Sequence, residues 1–246
     1  MTSTTVVREL SGLRALVTGA TSGIGRAVAI QLAQQGAHVL IHGRNPGRGV
    51  EVLEQIELSG GSAQFVPADI STAEGIATLV DAAGAVDILV NNAGISWFGP
   101  SNELDAVGFD SLFDANVRST YLLTAALAPG MVERGSGSVV NLASMAGAVG
   151  LAGGAAYGAT KAALASLARS WAAEFGAARV RVNAVAPGPV YTAADADRIA
   201  SLGATTLLDR AADPQEIAET IAFLAGPRAG YITGATIAVD GGRTAV

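Results

Sequence analysis

The sequence predicts an α/β fold: a doubly wound parallel sheet of about seven strands with helices on both faces, in a single domain over residues 1–246. Three observations predict it. Short apolar runs rich in β-branched residues alternate with longer segments of helical period. Most of those runs are apolar throughout rather than alternating, as strands buried on both faces must be. The 246 residues, 50% of them hydrophobic, suffice for one large core.

Taken in chain order, strands are expected at residues 13–18, 37–42, 63–67, 88–91, 138–142, 179–185 and 236–239. Helices are expected at 24–35, 46–58, 72–82, 109–133, 155–175 and 214–224. Gly36 supplies a terminator after the first helix, and Asp213-Pro214 a cap followed by a first-turn proline for the last. Residues 1–10 are expected to form a flexible terminus. The stretch 191–212 has the weakest periodicity and reads as a substrate loop, mobile or built of short helices, or as a passive connection.

Composition narrows the function classes. Charged residues make up 15% of the chain, the net charge is −6 and the pI is about 4.9, so no diffuse basic field exists for nucleic acid or an anionic membrane. The absence of cysteine removes disulfides, thiolate catalysis and cysteine metal sites, and suits a cytoplasmic enzyme. No signal-peptide core occurs near the start, Lys161 and Arg169 interrupt the Ala-rich run around residues 155–173, and no metal-ligand spacing is visible. His38 and His42 read as structural rather than ligating.

The first expected strand runs into Thr18-Gly19-Ala20-Thr21-Ser22-Gly23-Ile24-Gly25, followed at once by helical period. Glycines there let the backbone approach a pyrophosphate, and the free N–H groups of a helix start favour its charge. Gly19, Thr21, Ser22, Gly23, Ile24 and Gly25 are therefore expected cofactor contacts in a Rossmann-type site. The second strand ends at His42-Gly43-Arg44-Asn45, with no acid for the adenine-side ribose hydroxyls. Gly43 leaves room and Arg44 offers a cationic fork for a 2′-phosphate, with Asn45 beside it, so NADP(H) is favoured and NAD(H) remains possible. The alternative for Arg44 is a solvated loop arginine.

Tyr157-Gly158-Ala159-Thr160-Lys161 puts a phenol and an ammonium four residues apart, on one face of an expected helix. The ammonium would stabilise a phenolate and lower the phenol pKa toward a range useful for proton transfer. Ser144, at the end of an expected strand, could hydrogen-bond the reacting oxygen. Each has a plainer role open to it: a half-buried tyrosine, a snorkelling lysine, a strand-end cap.

With these residues in view, the chain resembles the short-chain dehydrogenase/reductase family along nearly its whole length, and is similar to its 3-oxoacyl-carrier-protein reductase-like members. The matching elements are residues 18–25, Asp69-Ile70, Asn91-Asn92-Ala93-Gly94, Asn116, Ser144, Tyr157-x3-Lys161, Pro187-Gly188 and the region 234–242. The resemblance implies an oxidoreductase that interconverts an alcohol and a ketone or aldehyde by hydride transfer. Tyr157 would be the general acid in reduction and the base in oxidation, and Ser144 would polarise the carbonyl. Lys161 would tune Tyr157 and bind the nicotinamide ribose, and Asn116 would hold a water linking Lys161 to solvent. Asp69 and Ile70 would bracket the adenine, although Asp69 could instead cap residues 71–72. Asn91, Asn92, Ala93 and Gly94 would line the cofactor cleft, and Pro187, Gly188, Val190 and Thr192 would meet the nicotinamide end. Ser22 stands where many NADPH-preferring members carry a basic residue, leaving Arg44 to recognise the phosphate largely alone.

The substrate pocket is expected after the cofactor strands: Ser96, Trp97 and Phe98, then Met145 and the residues to 151, then Tyr191. Trp97 and Tyr191 suggest an apolar or ring-stacking pocket. Only Arg198 among these segments could fix an anion, which favours a neutral ketone, a sugar or a thioester-linked carbonyl. Two other functions stay open: an NAD(H)-dependent sugar or polyol dehydrogenase, and a non-catalytic dinucleotide-binding regulator. An enoyl reductase is disfavoured, because such relatives usually place six residues between tyrosine and lysine. Helices 109–133 and 155–175 carry more small and apolar surface than a sheet can cover, which predicts a homotetramer or homodimer, with strand 236–239 at a second interface. Trp171 fits either that interface or the monomer core.

Overall fold

The computed structural model describes residues 8–192 and 196–246. Seven strands form one parallel sheet: β1 (Arg14–Val17), β2 (His38–Gly43), β3 (Ser62–Pro67), β4 (Ile88–Asn91), β5 (Gly137–Leu142), β6 (Val180–Pro187) and β7 (Thr236–Val239), in the order β3-β2-β1-β4-β5-β6-β7. The order reverses between β1 and β4, so a crevice opens where their carboxyl ends diverge. In-register pairs such as Val17↔Ile41 and Val17↔Val90 hold the two strands that flank β1.

The helices are α1 (Gly23–Gln34), α2 (Pro46–Leu58), α3 (Ala73–Ala83), α4 (Ala106–Phe113), α5 (Ser119–Arg134), α6 (Ala155–Phe175), α7 (Ala196–Gly203) and α8 (Pro214–Ala225). One face of the sheet is covered by α1, α2 and α8, through Val28, Leu32, Val52, Ile56, Ile217 and Ile221. The other is covered by α3, α5 and α6, through Ile76, Leu79, Leu123, Met131, Ala168 and Trp171. Two-sided burial explains why β1 and β4 carry no polar alternation: their central residues are 0–1% exposed.

Local signals set the ends. Asn45 Oδ1 accepts from Arg48 N (3.0 Å) and Pro46 opens α2; Thr72 Oγ1 accepts from Gly75 N (3.0 Å) to start α3. At the start of α8 the Glu216 carboxylate accepts from Asp213 N (3.0 Å), with Pro214 in the first turn. Gly36 (φ +99°) carries the chain from α1 into β2.

Two expectations change, and a third takes one of its open forms. The single helix foreseen over 109–133 is α4 and α5 joined by a π-turn, Asp114–Arg118, with Asn116 buried inside it. Its amide is held by the backbone of Ile95, and that outside tether accommodates the extra residue in the turn. Residues 1–7 of the terminus foreseen as flexible lie outside the described residues, but Leu10 is fully buried and its N–H donates to Gln35 O (2.9 Å). Within 191–212, residues 193–195 lie outside the described set, while α7 occupies 196–203 and Ala212 is tied to Pro189 and Tyr191 by backbone hydrogen bonds. Trp171 is 5% exposed in the core and packs on Tyr121 (ring centroids 5.9 Å), so it belongs to the monomer. No helix among the described residues is long and apolar enough to cross a membrane.

Candidate active site

A cleft of about 450 Å³ runs along the carboxyl ends of β1, β2, β4 and β5. Its floor is the loop between β1 and α1. Gly19 adopts φ +64°, and a Cβ there would stand 2.9 Å from Ala93 Cα; a Cβ on Gly25 would stand 2.3 Å from Gly19 O. The cleft needs glycine at both positions. Thr18 and Asn92 lock this loop to the end of β4: Asn92 N and Ala93 N each donate to Thr18 Oγ1 (3.0 Å), and Asn92 Nδ2 donates to Thr18 O (2.8 Å).

At one end the walls are His42, Arg44, Arg48, Asp69, Ile70 and Ser71. His42 is 3% exposed; Gly19 N donates to its Nδ1 and its Nε2 lies against Ala68 O, both at 3.2 Å. That pattern assigns the neutral ring with its proton on Nε2. Burial pushes its pKa down to about 4. Asp69 Oδ1 accepts from both Ser71 N (3.1 Å) and Ser71 Oγ (2.8 Å), and these bonds hold its carboxyl below the usual range. Asp69 thus has the capping role, and it also faces the cleft.

At the other end lie Tyr157 and Lys161, with Ser144 near Tyr157 but not among the described lining residues. One helical turn separates Tyr157 from Lys161 on α6, and Ser144 follows β5. Ser144 Oγ accepts from Ala146 N (3.2 Å), which fixes the hydroxyl, and the hydroxyl stands near enough to the Tyr157 phenol to pull its pKa down. Lys161 Nζ donates to Leu142 O (2.8 Å) and stands 5.7 Å from the Tyr157 ring centroid. Burial pushes the amine down to about 8. The phenol is also moved by burial, upward, against the opposing pull of Ser144. The expected lowering of the phenol by the lysine is not what governs here: the amine is 5.7 Å from the ring centroid and bonded to a carbonyl, while burial raises the phenol and Ser144 opposes it.

A family model described as Enoyl-(Acyl carrier protein) reductase matches residues 19–244. The cis-4-hydroxycyclohexanecarboxylate dehydrogenase of Sinomonas cyclohexanicum is 40% identical over 241 residues, covering 94% of this chain and 96% of that protein. A solved short chain dehydrogenase/reductase family protein is 51% identical, with TM-score 0.91 over 97% of this chain and all of that one. The angucycline C-6 ketoreductase LanV, solved with bound NADP, is 31% identical, with TM-score 0.91 over 97% of this chain and 98% of that one. The chain belongs to the short-chain dehydrogenase/reductase family. It is an NAD(P)-dependent oxidoreductase with that family's single Rossmann-like domain.

Of the residues singled out as the family's cofactor contacts, Gly19, Thr21, Ser22, Ile24, Gly25, Arg44, Asp69, Ile70, Asn92, Ala93, Gly94, Tyr157, Lys161 and Thr192 line the cleft. Gly23, Asn45, Pro187, Gly188 and Val190 are not among the described lining residues. Gly23 turns the loop at φ +52°, Asn45 caps α2, and Val190 bridges to Ala212. Asn91 is 2% exposed and donates to Thr124 Oγ1 (3.0 Å) and Asn141 Oδ1 (2.9 Å), tying β4 to α5 and β5 instead of facing the cofactor. Asn116 lies beneath the cleft: its Oδ1 accepts from Ile95 N (2.8 Å), and its Nδ2 donates to Ile95 O (2.9 Å) and Thr160 Oγ1 (3.0 Å).

On the substrate side Ser96 lines the cleft, whereas Met145 is buried, Trp97 is half-buried and Tyr191 faces outward beside it. The ring nearest Tyr157 is Phe98, at a centroid distance of 5.2 Å. Sequence reasoning passed over Arg48, Ser71 and the wall-forming part of His42. One available signal was the place of Arg48 in the first turn of α2, three residues after the Asn45 cap that follows Arg44. Among the described residues no cluster of three or more His, Asp or Glu could hold a metal ion.

Proposed function

We propose that the protein is an NADP(H)-dependent enzyme that interconverts an alcohol and a ketone or aldehyde, with Tyr157 as general acid and base. The observation that carries the reading is the half-buried Tyr157 phenol near Ser144, with the buried amine of Lys161 behind it, at one end of a cleft whose other end holds two arginines.

The residues fit the dinucleotide. The β1–α1 loop offers glycine backbone and the start of α1 to the pyrophosphate, and no acidic side chain follows β2. Arg44 and Arg48 share the wall where a 2′-phosphate would lie, so Arg44 does not act alone. The bound NADP of the LanV ketoreductase supports the same cofactor here. When bound, the nicotinamide supplies or accepts the hydride; the protein's own residues handle the proton.

In reduction, the substrate carbonyl oxygen takes the position shared by Ser144 Oγ and Tyr157 Oη. Ser144 donates to it, and Tyr157 delivers a proton as negative charge builds on oxygen. Burial keeps the phenol protonated at neutral pH, which suits the acid role. Lys161, protonated below about pH 8, offsets the phenolate left behind. A Cβ on Gly94 would stand 2.8 Å from Asn116 Oδ1 and 3.7 Å from Lys161 Nζ, so amide and amine border the same point; Lys161 would pass a proton toward the Tyr157 phenolate and be reprotonated from solvent through a water held by Asn116. In oxidation the same groups run in reverse. The i, i+4 spacing of tyrosine and lysine supports carbonyl rather than enoyl chemistry, in spite of the description of the matching family model.

Incubating the protein with NADPH and a panel of ketones and aldehydes, and following loss of NADPH absorbance, tests the reading. Tyr157→Phe should lower kcat by at least about 100-fold, the general-acid contribution, while NADPH affinity changes little. Undiminished turnover in that variant would remove Tyr157 from the role.

We also propose that the chain self-associates through the faces of α4, α5 and α6, as a homotetramer or homodimer in the cytoplasm. An open apolar groove there, lined by Phe113, Val117, Tyr121, Leu122 and Leu167, supports this.

A further inference from the structure

Tyr157 is the third residue of α6, and α6 starts on Gly154 with no side-chain cap and no acidic residue in its first turn. By contrast, Asn45, Thr72 and Asp105 cap α2, α3 and α4 with their side chains. A first turn whose N–H groups lack side-chain partners frays more readily than the turns behind it. Gly153, the residue before the cap, adopts φ +75°, so the chain enters α6 through two glycines. The turn that carries the proton-donating phenol depends on a tether from elsewhere in the fold.

Thr160 provides that tether. Its Oγ1 donates to Tyr157 O (2.7 Å) and accepts from Asn116 Nδ2 (3.0 Å). A helical threonine often donates to a carbonyl three or four residues back, and that bond alone would be a local matter. The second bond makes it a link between elements. The amide N–H takes a lone pair of the hydroxyl and leaves its single proton for Tyr157 O. Asn116 is held in turn by both backbone groups of Ile95: its Oδ1 accepts from Ile95 N (2.8 Å) and its Nδ2 donates to Ile95 O (2.9 Å). With those bonds both amide hydrogens are in use. Asn116 and Thr160 are each 0% exposed, so water cannot replace a bond that is lost. The bonds run from the segment after β4, through the π-turn, to the backbone of Tyr157, and Ile95, Ala115 and Tyr157 each line the cleft.

We propose that Thr160 is a positioning residue for proton transfer: its hydroxyl carries the fixed geometry of the π-turn to the first turn of α6, and so holds the Tyr157 phenol in place beside Ser144. The proposal rests on the reading of Tyr157 as general acid and base. Thr160 is not among the described residues that line the cleft, so it acts through Tyr157 and not on substrate or cofactor. A group that positions the proton donor without meeting either ligand affects the chemical step and leaves binding alone. The requirement is for the hydroxyl, since a methyl or a thiol in its place cannot both take the Asn116 N–H and give a strong bond to Tyr157 O.

The test compares three variants of the full chain, with NADPH and a ketone that the unsubstituted enzyme reduces. Thr160→Val keeps the branched shape and removes the hydroxyl, Thr160→Ser keeps the hydroxyl, and Thr160→Cys puts a weak donor in the same place. Thr160→Val should lower kcat by about 10- to 100-fold, the scale of a misplaced catalytic group, while KM for the ketone and the Kd of NADPH stay near those of the unsubstituted enzyme. Thr160→Ser should retain most of kcat, and Thr160→Cys should fall between the two. Where Thr160→Val yields too little folded protein, Ser and Cys, alike in size, carry the comparison. Three outcomes overturn the proposal alone: full kcat in Thr160→Val or Thr160→Cys, a loss in Thr160→Ser as large as in Thr160→Val, which would assign the effect to packing of the methyl group, or a weakening of NADPH in step with kcat, which would mean that the cleft has collapsed. No turnover of any carbonyl by the unsubstituted enzyme would instead overturn the proposed function, and this proposal with it.

Discussion

At the scale of single residues, one type can serve structure or chemistry, and its surroundings decide. Arg44, just after β2, and Arg48, in the first turn of α2, lie along one wall, and each is exposed. Exposed arginines add little to stability, so their effect belongs to a ligand that brings them negative charge. Arg44→Asp should therefore weaken NADPH by about 10- to 100-fold, the scale of a lost charge-assisted pair, and NADH far less. Arg48→Ala should do the same to a smaller extent. Kd values for both nucleotides, by quenching of tryptophan fluorescence or by calorimetry, check this; an unchanged NADPH/NADH ratio in both variants would assign both arginines to solvent. Tyr157 and Lys161 were legible in the sequence because i, i+4 spacing puts them on one helix face, and Ser144 joined them through the resemblance to the family. Asn91 and Asn92 were not separable that way. Strand period turns adjacent residues to opposite sides, but which side faces the crevice depends on the register of β4 with β1 and β5.

Elements place these groups, and the end of β2 shows how. Three partners meet at His42: its own carbonyl accepts from Ala20 N (2.8 Å), its Nδ1 accepts from Gly19 N, and its Nε2 faces Ala68 O after β3. A single neutral ring thus braces the phosphate-binding loop against the adenine-side wall. The consequence for pH follows from the depressed pKa. In the unfolded chain the ring titrates near 6.5; in the folded protein it is pushed down to about 4, by burial first and by Arg44 to a lesser degree, against the raising influence of Ala68 O and Asp69. Above pH 6.5 both states hold it neutral and stability is intact. Between 6.5 and about 4 only the unfolded chain takes up the proton, so stability is lost as pH falls, by about 2 kcal/mol at pH 5. His42→Asn, which keeps an amide donor and an acceptor and does not titrate, should flatten that loss. Urea denaturation of both proteins at pH 7 and pH 5 checks it, and an equal acid loss in the two would clear His42 of the effect. The strands and most helices were legible because their burial is two-sided or capped by Asn, Thr and Asp. The π-turn at Asp114–Arg118 was not, because its cause is the distant backbone of Ile95 holding Asn116.

The whole molecule leaves a surface that its own sheet does not use. The groove between α4, α5 and α6 is lined by Phe113, Val117, Tyr121, Leu122, Ala163 and Leu167, with Asp114 and Arg118 among them. Tyr121 is 49% exposed although its ring rests on the buried Trp171, so the apolar side of a core aromatic pair faces outward. The residues across it on α6, Ala163, Ser166 and Ser170, are small, and small residues let a second helix approach closely. A second copy related by a two-fold axis would set each Tyr121 against the other's small residues, and Asp114 near Arg118, which makes the face self-complementary. The sequence showed the surplus of apolar surface on these helices, but its location needed the break at the π-turn, which re-aims α5 relative to α4. Sedimentation should find a dimer or tetramer of the 24.5 kDa chain. Leu167→Glu with Tyr121→Glu buries a charge in each copy of the face and should shift the protein to smaller species while the far-UV circular dichroism stays unchanged. The site lies on α6 directly beyond this face, so activity per chain should fall with dissociation as Tyr157 and Lys161 lose the support behind their helix. A clean monomer in the unsubstituted protein, active at full rate, would show that these helices need no partner.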